Sequence, residues 1–412
     1  MTRPLDGVKV VDLSNMLMAP YATQILGDMG ADVIKVEAPG GDPIRGIGPL
    51  KNPGMGAIFL NVNRSKRSIT LDLKHPDGRA AALDLIRNAD VVVYNLRPQV
   101  MARLGLSYEA VSEINPRVIY AGLFGYGQDG PYAHKPAFDD LIQGAAAIPW
   151  LAHMADGSEP SFAPTAIIDR GVALWAVGQI NAALFHQART GQGQSIDVPM
   201  FEFMASFVLS DHLAGHTFDP PTGPMGYPRM LNADRRPYKT KDGYVCVMVY
   251  TDKQWRSFFK ALGREADFEA DPRLQSMTTR TENIKDIYRE LAEIMSTRTS
   301  ADWLKLLDDA DIPSAPLHTL ETLIADPHLE ATEFFSYFEH PSEGRLRDMA
   351  VPSRWSKTQP KQSRHPPSLG EHSAEVLREL GYSDERIATL FKNGVSSAPP
   401  EIPATKLAAA SD

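Results

Sequence analysis

Apolar and polar positions change rhythm along the chain, and the rhythm predicts the elements. In the first third, short β-branched runs recur: "VKVVDLS" (8–14), "ADVIKVE" (31–37), "RSITLDL" (67–73), "DVVVYNL" (90–96) and "RVIYAGL" (117–123). Each fits a strand buried on both faces, and the intervening segments carry helical spacing at 19–30, 75–88 and 107–114. Gly30 stands where a helix C-terminus would end. Strand–helix alternation with short links predicts an α/β fold with a doubly wound, mostly parallel sheet, whose ligands bind at the carboxyl ends of the strands.

Residues 138–215 read as helix-rich with one strand, "QSIDVPM" (194–200), and 216–238 as a Pro- and Gly-rich linker. A smaller α+β unit follows over 239–330, with a strand at "YVCVMVY" (244–250) and helices at 252–262, 281–296 and 300–309. Residues 331–395 read as an irregular linker with a helical return to the large domain at 370–381. Residues 396–412 are poor in apolar side chains and read as a flexible tail. The resulting division is a large domain over 1–215, a linker, a small domain over 239–330, and a return.

The most informative single stretch is "PTAIIDRGVALWAVGQINAALF" (164–185). After Asp169, the positions Val172, Trp175, Ala176, Gln179, Ile180, Ala183 and Leu184 fall on one helical stripe. Asp169 can be the N-cap of that helix, since an Asp side chain accepts a backbone N–H of the first turn. It can equally be a nucleophile, because the positive end of a helix keeps a carboxylate ionised. The residues alone leave both readings open.

Composition narrows the classes. The 412 residues are 43% hydrophobic and 23% charged, with a net charge of −9, which argues against a general nucleic-acid binder. One cysteine, Cys246, excludes an intramolecular disulfide framework, and its strand context makes it a core residue. No apolar signal core opens the chain and no run reaches the ~20 residues of a membrane span, so a cytoplasmic protein without membrane partners is expected. The segment after the first strand, "LSNMLMAPYATQ", lacks G-x-G-x-x-G; P-loop, H-E-x-x-H and G-x-S-x-G patterns are missing from the chain, and no metal site is expected. A basic cluster stands out against the acidic whole. Arg64, Lys66, Arg67 and Lys74 lie in and just after one strand, and Arg97 and Arg103 follow the next. Such a patch suits a phosphorylated ligand, although a solvated charged surface accounts for it too.

Seven segments in order, "PLDGVKVVDLS", "GADVIKVE", "NRSKRSITLDLK", "GYGQDGPY", "TGQGQSIDVPM", "DIPSAPL" and "LGEHSAEVLRELGY", give the chain a resemblance to class III CoA-transferases of the CaiB/BaiF type. The resemblance implies a Rossmann-like large domain, an interlocked homodimer whose chains thread one another, and coenzyme A as a substrate rather than a permanently bound cofactor. It also implies that Asp169 is the nucleophile, attacking an acyl-CoA thioester to form an anhydride and then an aspartyl–CoA thioester. Backbone N–H groups at the head of the 170–188 helix are expected to serve the oxyanions. By the same resemblance, Leu17, Met18, Leu71, Lys74, Asn95, Leu96, Arg97 and Arg103 are placed at the coenzyme, and Asp139 lines the active site.

Departures from the family pattern shape the substrate expectation. Formyl-CoA:oxalate members carry a Gln where this chain has Leu17 and Met18, an Arg where it has Ala38 (with Arg45 as a possible substitute), and a glycine-rich lid where it has "DRRPYKTKDG". Short dicarboxylic acids are expected instead, with Arg235 and Arg236 as candidate carboxylate partners. The rival is an α-methylacyl-CoA racemase, which needs a His before Asp139. Here that residue is Phe138, which cannot carry a proton. A non-catalytic CoA-binding subunit is a third reading, which the intact Asp169 disfavours.

Overall fold

The computed structural model describes residues 2–400. The chain divides into two compact units. The first takes the residues up to Ala146, Ala163–Ser206 and the residues from Glu330 onward; the second takes Ala147–Phe162 and Phe207–Leu329. The cut therefore falls inside the helix Met200–His212 rather than at residue 216, and Ala147–Phe162 leaves the first unit.

The first unit is built on six parallel strands, β1 (Lys9–Asp12), β2 (Asp32–Glu37), β3 (Lys66–Thr70), β4 (Val91–Tyr94), β5 (Ile119–Phe124) and β6 (Gln194–Pro199), in the order β3-β2-β1-β4-β5-β6. Every residue of β4 and β5 is buried, as expected for strands covered on both faces. The chain starts in the middle of the sheet, moves outward through β2 to β3, and returns to β4. The switch between β1 and β4 leaves a crevice at their carboxyl ends, where open α/β sheets bind ligands. The helix Met18–Asp28 ends with Gly30 at φ +116°, and a Cβ there would stand 2.7 Å from the Arg3 Cβ, so the turn into β2 requires glycine. The helix Pro76–Arg87 packs with β1, β3 and β4 in one core with Ile69, Leu85, Ile86 and Val92.

The C-terminal segment completes this unit. The hairpin Phe335–His340 with Gly344–Met349 and the helices Ser373–Glu379 and Asp384–Lys392 follow one another, and Val376, Leu377, Ile387 and Leu390 enter the same core as β3 and β4. β3 is tied to this segment: Ser68 O accepts the His372 N–H at 2.9 Å, and Asp72 N donates to Val395 O at 2.7 Å. Ser396 and Ser397, read as the start of a loose tail, are anchored: Ser396 is buried and Ser397 N donates to Thr70 Oγ1 at 2.7 Å. The rest of that expected tail, 401–412, lies outside the described residues.

The second unit is a three-stranded antiparallel sheet, Tyr238–Lys239, Tyr244–Val247 and Ser314–Pro316, covered by helices. Its core is aromatic, with Trp255, Phe258, Phe259, Phe268 and Trp303 buried together. Trp303 satisfies its indole by donating to Met295 O at 2.6 Å. Cys246 lies in the central strand but is half-buried, not a core residue. Arg235 and Arg236 belong to this unit and are exposed.

Candidate functional site

Asp169 is not the N-cap of its helix. The helix runs Ile167–Thr190, so Asp169 is its third residue, and Ala166 at the cap position offers no side-chain acceptor. The cap comes from another element. Asp139, the first residue of the helix Asp139–Ala145, reaches over with Oδ2 to accept the N–H of Ile168 at 2.9 Å and of Asp169 at 3.0 Å. Its Oδ1 accepts Gln143 Nε2 at 2.6 Å, and Gln143 Oε1 accepts the Ala163 N–H at 2.9 Å. One carboxylate and one amide thus bind the start of the Asp169 helix to the preceding segment, with the negative charge at the positive helix end.

The expected oxyanion role of the helix head is overturned by the same contacts. The Ile168 and Asp169 N–H groups are taken by Asp139, Arg170 N donates to Ala166 O, and Ile167 N donates to Thr165 O. A charge developing beside Asp169 must find its donors elsewhere.

Burial pushes the Asp169 carboxyl up to about 6, the negative Asp139 adds to the shift, and the Arg170 guanidinium partly opposes it. Arg170 itself stacks on the Tyr21 ring at 4.2 Å. Among the described residues no hydrogen bond is made to the Asp169 carboxylate. At neutral pH the group is therefore mostly ionised, yet poorly solvated and more basic than an ordinary Asp, which is the state a carboxylate nucleophile needs.

Asp169 opens onto a cleft of about 370 Å³ at the carboxyl ends of β1, β4 and β5. The loop after β1 contributes Asn15, Leu17 and Met18, the loop after β4 contributes Asn95 and Arg97, and Lys135 and Phe138 come from the segment leading to Asp139. A second cleft of about 270 Å³ lies at the ends of β1 to β4, lined by Leu71, Lys74 and Leu96 with Ala38, Gly41 and Asp42. Asn15 lines both. The structure thus gathers Leu17, Met18, Asn95, Arg97 and Asp169 around one cleft and Leu71, Lys74 and Leu96 around its neighbour. Asp139 stands behind Asp169, and Arg103 is exposed at the end of the helix Pro98–Arg103, outside both.

The basic cluster does not form a patch. Arg64 is bound by Asp28 at 2.9 Å and Asp348 at 2.5 Å, and Arg67 by Asp32, Glu375 and Glu379. Lys66 lies wholly buried against Asp12 at 3.1 Å. Burial alone would raise Asp12, but Lys66 and Lys35 outweigh it and hold the carboxyl at about 2. These cations are ion-paired to β1, β2, the helix Met18–Asp28 and the C-terminal segment rather than gathered on a solvated face. Arg45 is likewise spent, with two 2.7 Å bonds to Glu37 above the Phe59 ring, and does not replace the Arg missing at Ala38. Lys74 alone of the strand cluster lines either of these two clefts.

Contacts that the sequence did not show shape the β1 loop. Asn95 Oδ1 accepts the Asn15 N–H at 3.0 Å and its Nδ2 donates to Asn15 O at 2.8 Å. Asp42 Oδ1 accepts the N–H of Met16, which sits at φ 66°, and buried Lys35 Nζ donates to Ser14 O at 2.8 Å. Three consecutive residues, Ser14, Asn15 and Met16, are thereby fixed beside the two clefts. Asn95 and Lys35 lay inside expected strands, but their cross-chain partners were not readable from the sequence. Among the described residues no cluster of three or more metal-ligating side chains occurs, and no helix is long and apolar enough to cross a membrane.

The family model "CoA-transferase family III" matches residues 5–373. The chain belongs to that family. Two relatives make the match concrete: the succinyl-CoA:glutarate CoA-transferase of Homo sapiens is 32% identical over 95% of this chain and 90% of its own, and the succinate–glutarate CoA-transferase of Agrobacterium fabrum is 33% identical over 94% and 98%. Among solved structures, a CaiB/BaiF family protein from Brucella suis superposes with a TM-score of 0.78 at 33% identity, covering 92% of this chain and 100% of that one. As a family III CoA-transferase, the protein uses CoA thioesters as substrates and transfers CoA to a free carboxylic acid.

Proposed function

We propose that the protein moves CoA between short dicarboxylic acids, with Asp169 as the covalent carrier. The observation that carries this reading is an unbonded, burial-raised carboxylate facing a cleft at the sheet's switch point. The relatives' names supply the acid class. The Asp169 carboxylate attacks the thioester carbon, the C–S bond breaks, and CoA leaves as its thiolate. The thiolate attacks the aspartyl carbon of the resulting anhydride, releasing the donor acid and leaving an aspartyl–CoA thioester. The acceptor carboxylate then repeats both steps in reverse, and Asp169 returns as a carboxylate. No water enters and no net proton is taken up. Splitting the exchange into acyl transfers of similar energy is the gain from the covalent route.

In this reading Leu71, Lys74 and Leu96 hold the nucleotide end of CoA, the thiol arm passes Asn15 and Asn95, and Arg97 meets a phosphate. Phe138 on the cleft wall offers no proton and so disfavours the racemase alternative. The protein acts as an interlocked homodimer in the cytoplasm; Leu174, Trp175 and Phe185 stand 58%, 49% and 64% exposed on the Asp169 helix, a face suited to a partner chain.

An isotope experiment tests the covalent route. An acceptor acid carrying ¹⁸O in its carboxylate should leave one ¹⁸O in the Asp169 peptide after a single turnover, because the bridging anhydride oxygen stays with Asp169. Transfer with no label in that peptide refutes the carrier role.

A further inference from the structure

We propose that Lys135 is the counter-charge for the far carboxylate of the acyl group carried on Asp169, and that it selects dicarboxylic over monocarboxylic substrates. This rests on the transferase reading above and names the residue that sets its substrate class.

The argument starts from the cations of the Asp169 cleft, Arg97 and Lys135. A dicarboxylyl-CoA brings two kinds of anion, phosphates at one end and a carboxylate at the other. The chain sorts the two cations. Arg97 follows Leu96 and precedes Val100 and Leu104, which line the neighbouring cleft with Lys74, so it stands toward the nucleotide side. Lys135 precedes Pro136, Ala137 and Phe138, which line Asp169's own cleft, and the chain then enters Asp139.

Lys135 is also held ready. Its N–H donates to Tyr132 O at 2.8 Å, closing a turn, and its ammonium sits 3.8 Å over the Tyr132 ring rather than on a carboxylate among the described residues. A ring contact orients the charge while leaving its hydrogen-bond donors free. Leu17, Met18, Phe124 and Met200 line the same cleft while Lys135 itself stands exposed, so its ammonium is free to meet an incoming carboxylate by a charged hydrogen bond. Arg235 and Arg236, the expected carboxylate partners, belong to the second unit, and Arg236 lies 3.9 Å from Asp234.

The test compares Lys135→Met with Lys135→Arg in the full-length enzyme, using succinyl-CoA as donor with glutarate or butyrate as acceptor, and butyryl-CoA with butyrate exchange as a control. Loss of a charged hydrogen bond predicts a KM for glutarate raised about 10- to 100-fold in Lys135→Met, with kcat little changed. Butyrate exchange should be unaffected or improved, and Lys135→Arg should restore most of the glutarate preference. An equal loss for both acid classes would make Lys135 a CoA-phosphate contact and overturn the proposal, as would an unchanged glutarate KM. Wild-type enzyme that transfers CoA to butyrate but to no dicarboxylic acid would instead overturn the dicarboxylate reading itself.

Discussion

Asp139 holds Asp169 by the backbone and opposes it by charge. Its Oδ2 accepts the Asp169 N–H at 3.0 Å while its negative charge contributes to raising the Asp169 carboxyl to about 6. The same side chain fixes the backbone of Asp169 and raises the basicity of its carboxylate. The two roles separate by substitution. Asp139→Asn keeps an oxygen acceptor for the helix N–H groups and removes the charge, so the acid limb of the kcat/KM profile should move to lower pH, while thermal stability changes little. Asp139→Ala should cost about 1 kcal/mol of stability through the lost cap, measured by denaturant unfolding.

The wild-type pH profile follows from the ionisation of Asp169. In the proposed route only the carboxylate attacks, so kcat/KM should fall about tenfold per pH unit below about 6 and level off above it. A plateau extending unchanged to pH 4.5 would contradict a nucleophile held at that value.

Asp169→Asn should abolish transfer and stabilise the protein. A carboxyl raised in the folded state is a burden wherever it is ionised there, above about pH 6, and no burden below the unfolded value of 3.8. The neutral amide removes that burden, so the variant should gain on the order of 1–2 kcal/mol at pH 7, discounted for partial exposure, and lose the advantage as the pH falls through 6 to 3.8. Urea unfolding of both proteins at pH 7.5 and 4 measures it.

Two lysines near β3 should fail in different ways. Lys66→Met leaves Asp12 buried without its partner and should destabilise by about 3–5 kcal/mol. Lys74→Met touches no buried pair and should leave the melting temperature unchanged while raising the KM for acyl-CoA about tenfold. Thermal denaturation beside steady-state kinetics distinguishes them.

The sheet was legible because its strands are continuous β-branched runs bounded by turns, and each of the six appears within two or three residues of its expected limits. The helix Tyr108–Ile114 was legible in the spacing of 107–114, and the structure adds Ser107 as its cap, accepting from Ala110 N. The helix Asp384–Lys392 carried a similar signal in Ser383 but was overlooked beside the preceding helix. The hairpin 335–349 was hidden because its second strand, "GRLRDM", alternates charge with apolar residues and reads as surface. The basic cluster misled for a different reason. Ion pairing depends on partners such as Asp348 and Glu375, roughly 300 residues away along the chain, and no local pattern reports them. Asp169 stands out in the sequence through the resemblance, while the side chain that caps its helix, Asp139, comes from an element 30 residues upstream.

The C-terminal return to β3 imposes an order on synthesis. Arg67 meets Glu375 across 308 residues of chain, and Thr70 meets Ser397 across 327. When β3 leaves the ribosome its C-terminal partners have not been translated, so a nascent chain carries the strands with an open edge and only part of their ion pairs until the segment 364–397 is made. The second unit, already complete by Leu329, can fold first. The six-stranded sheet is thus begun first and closed last.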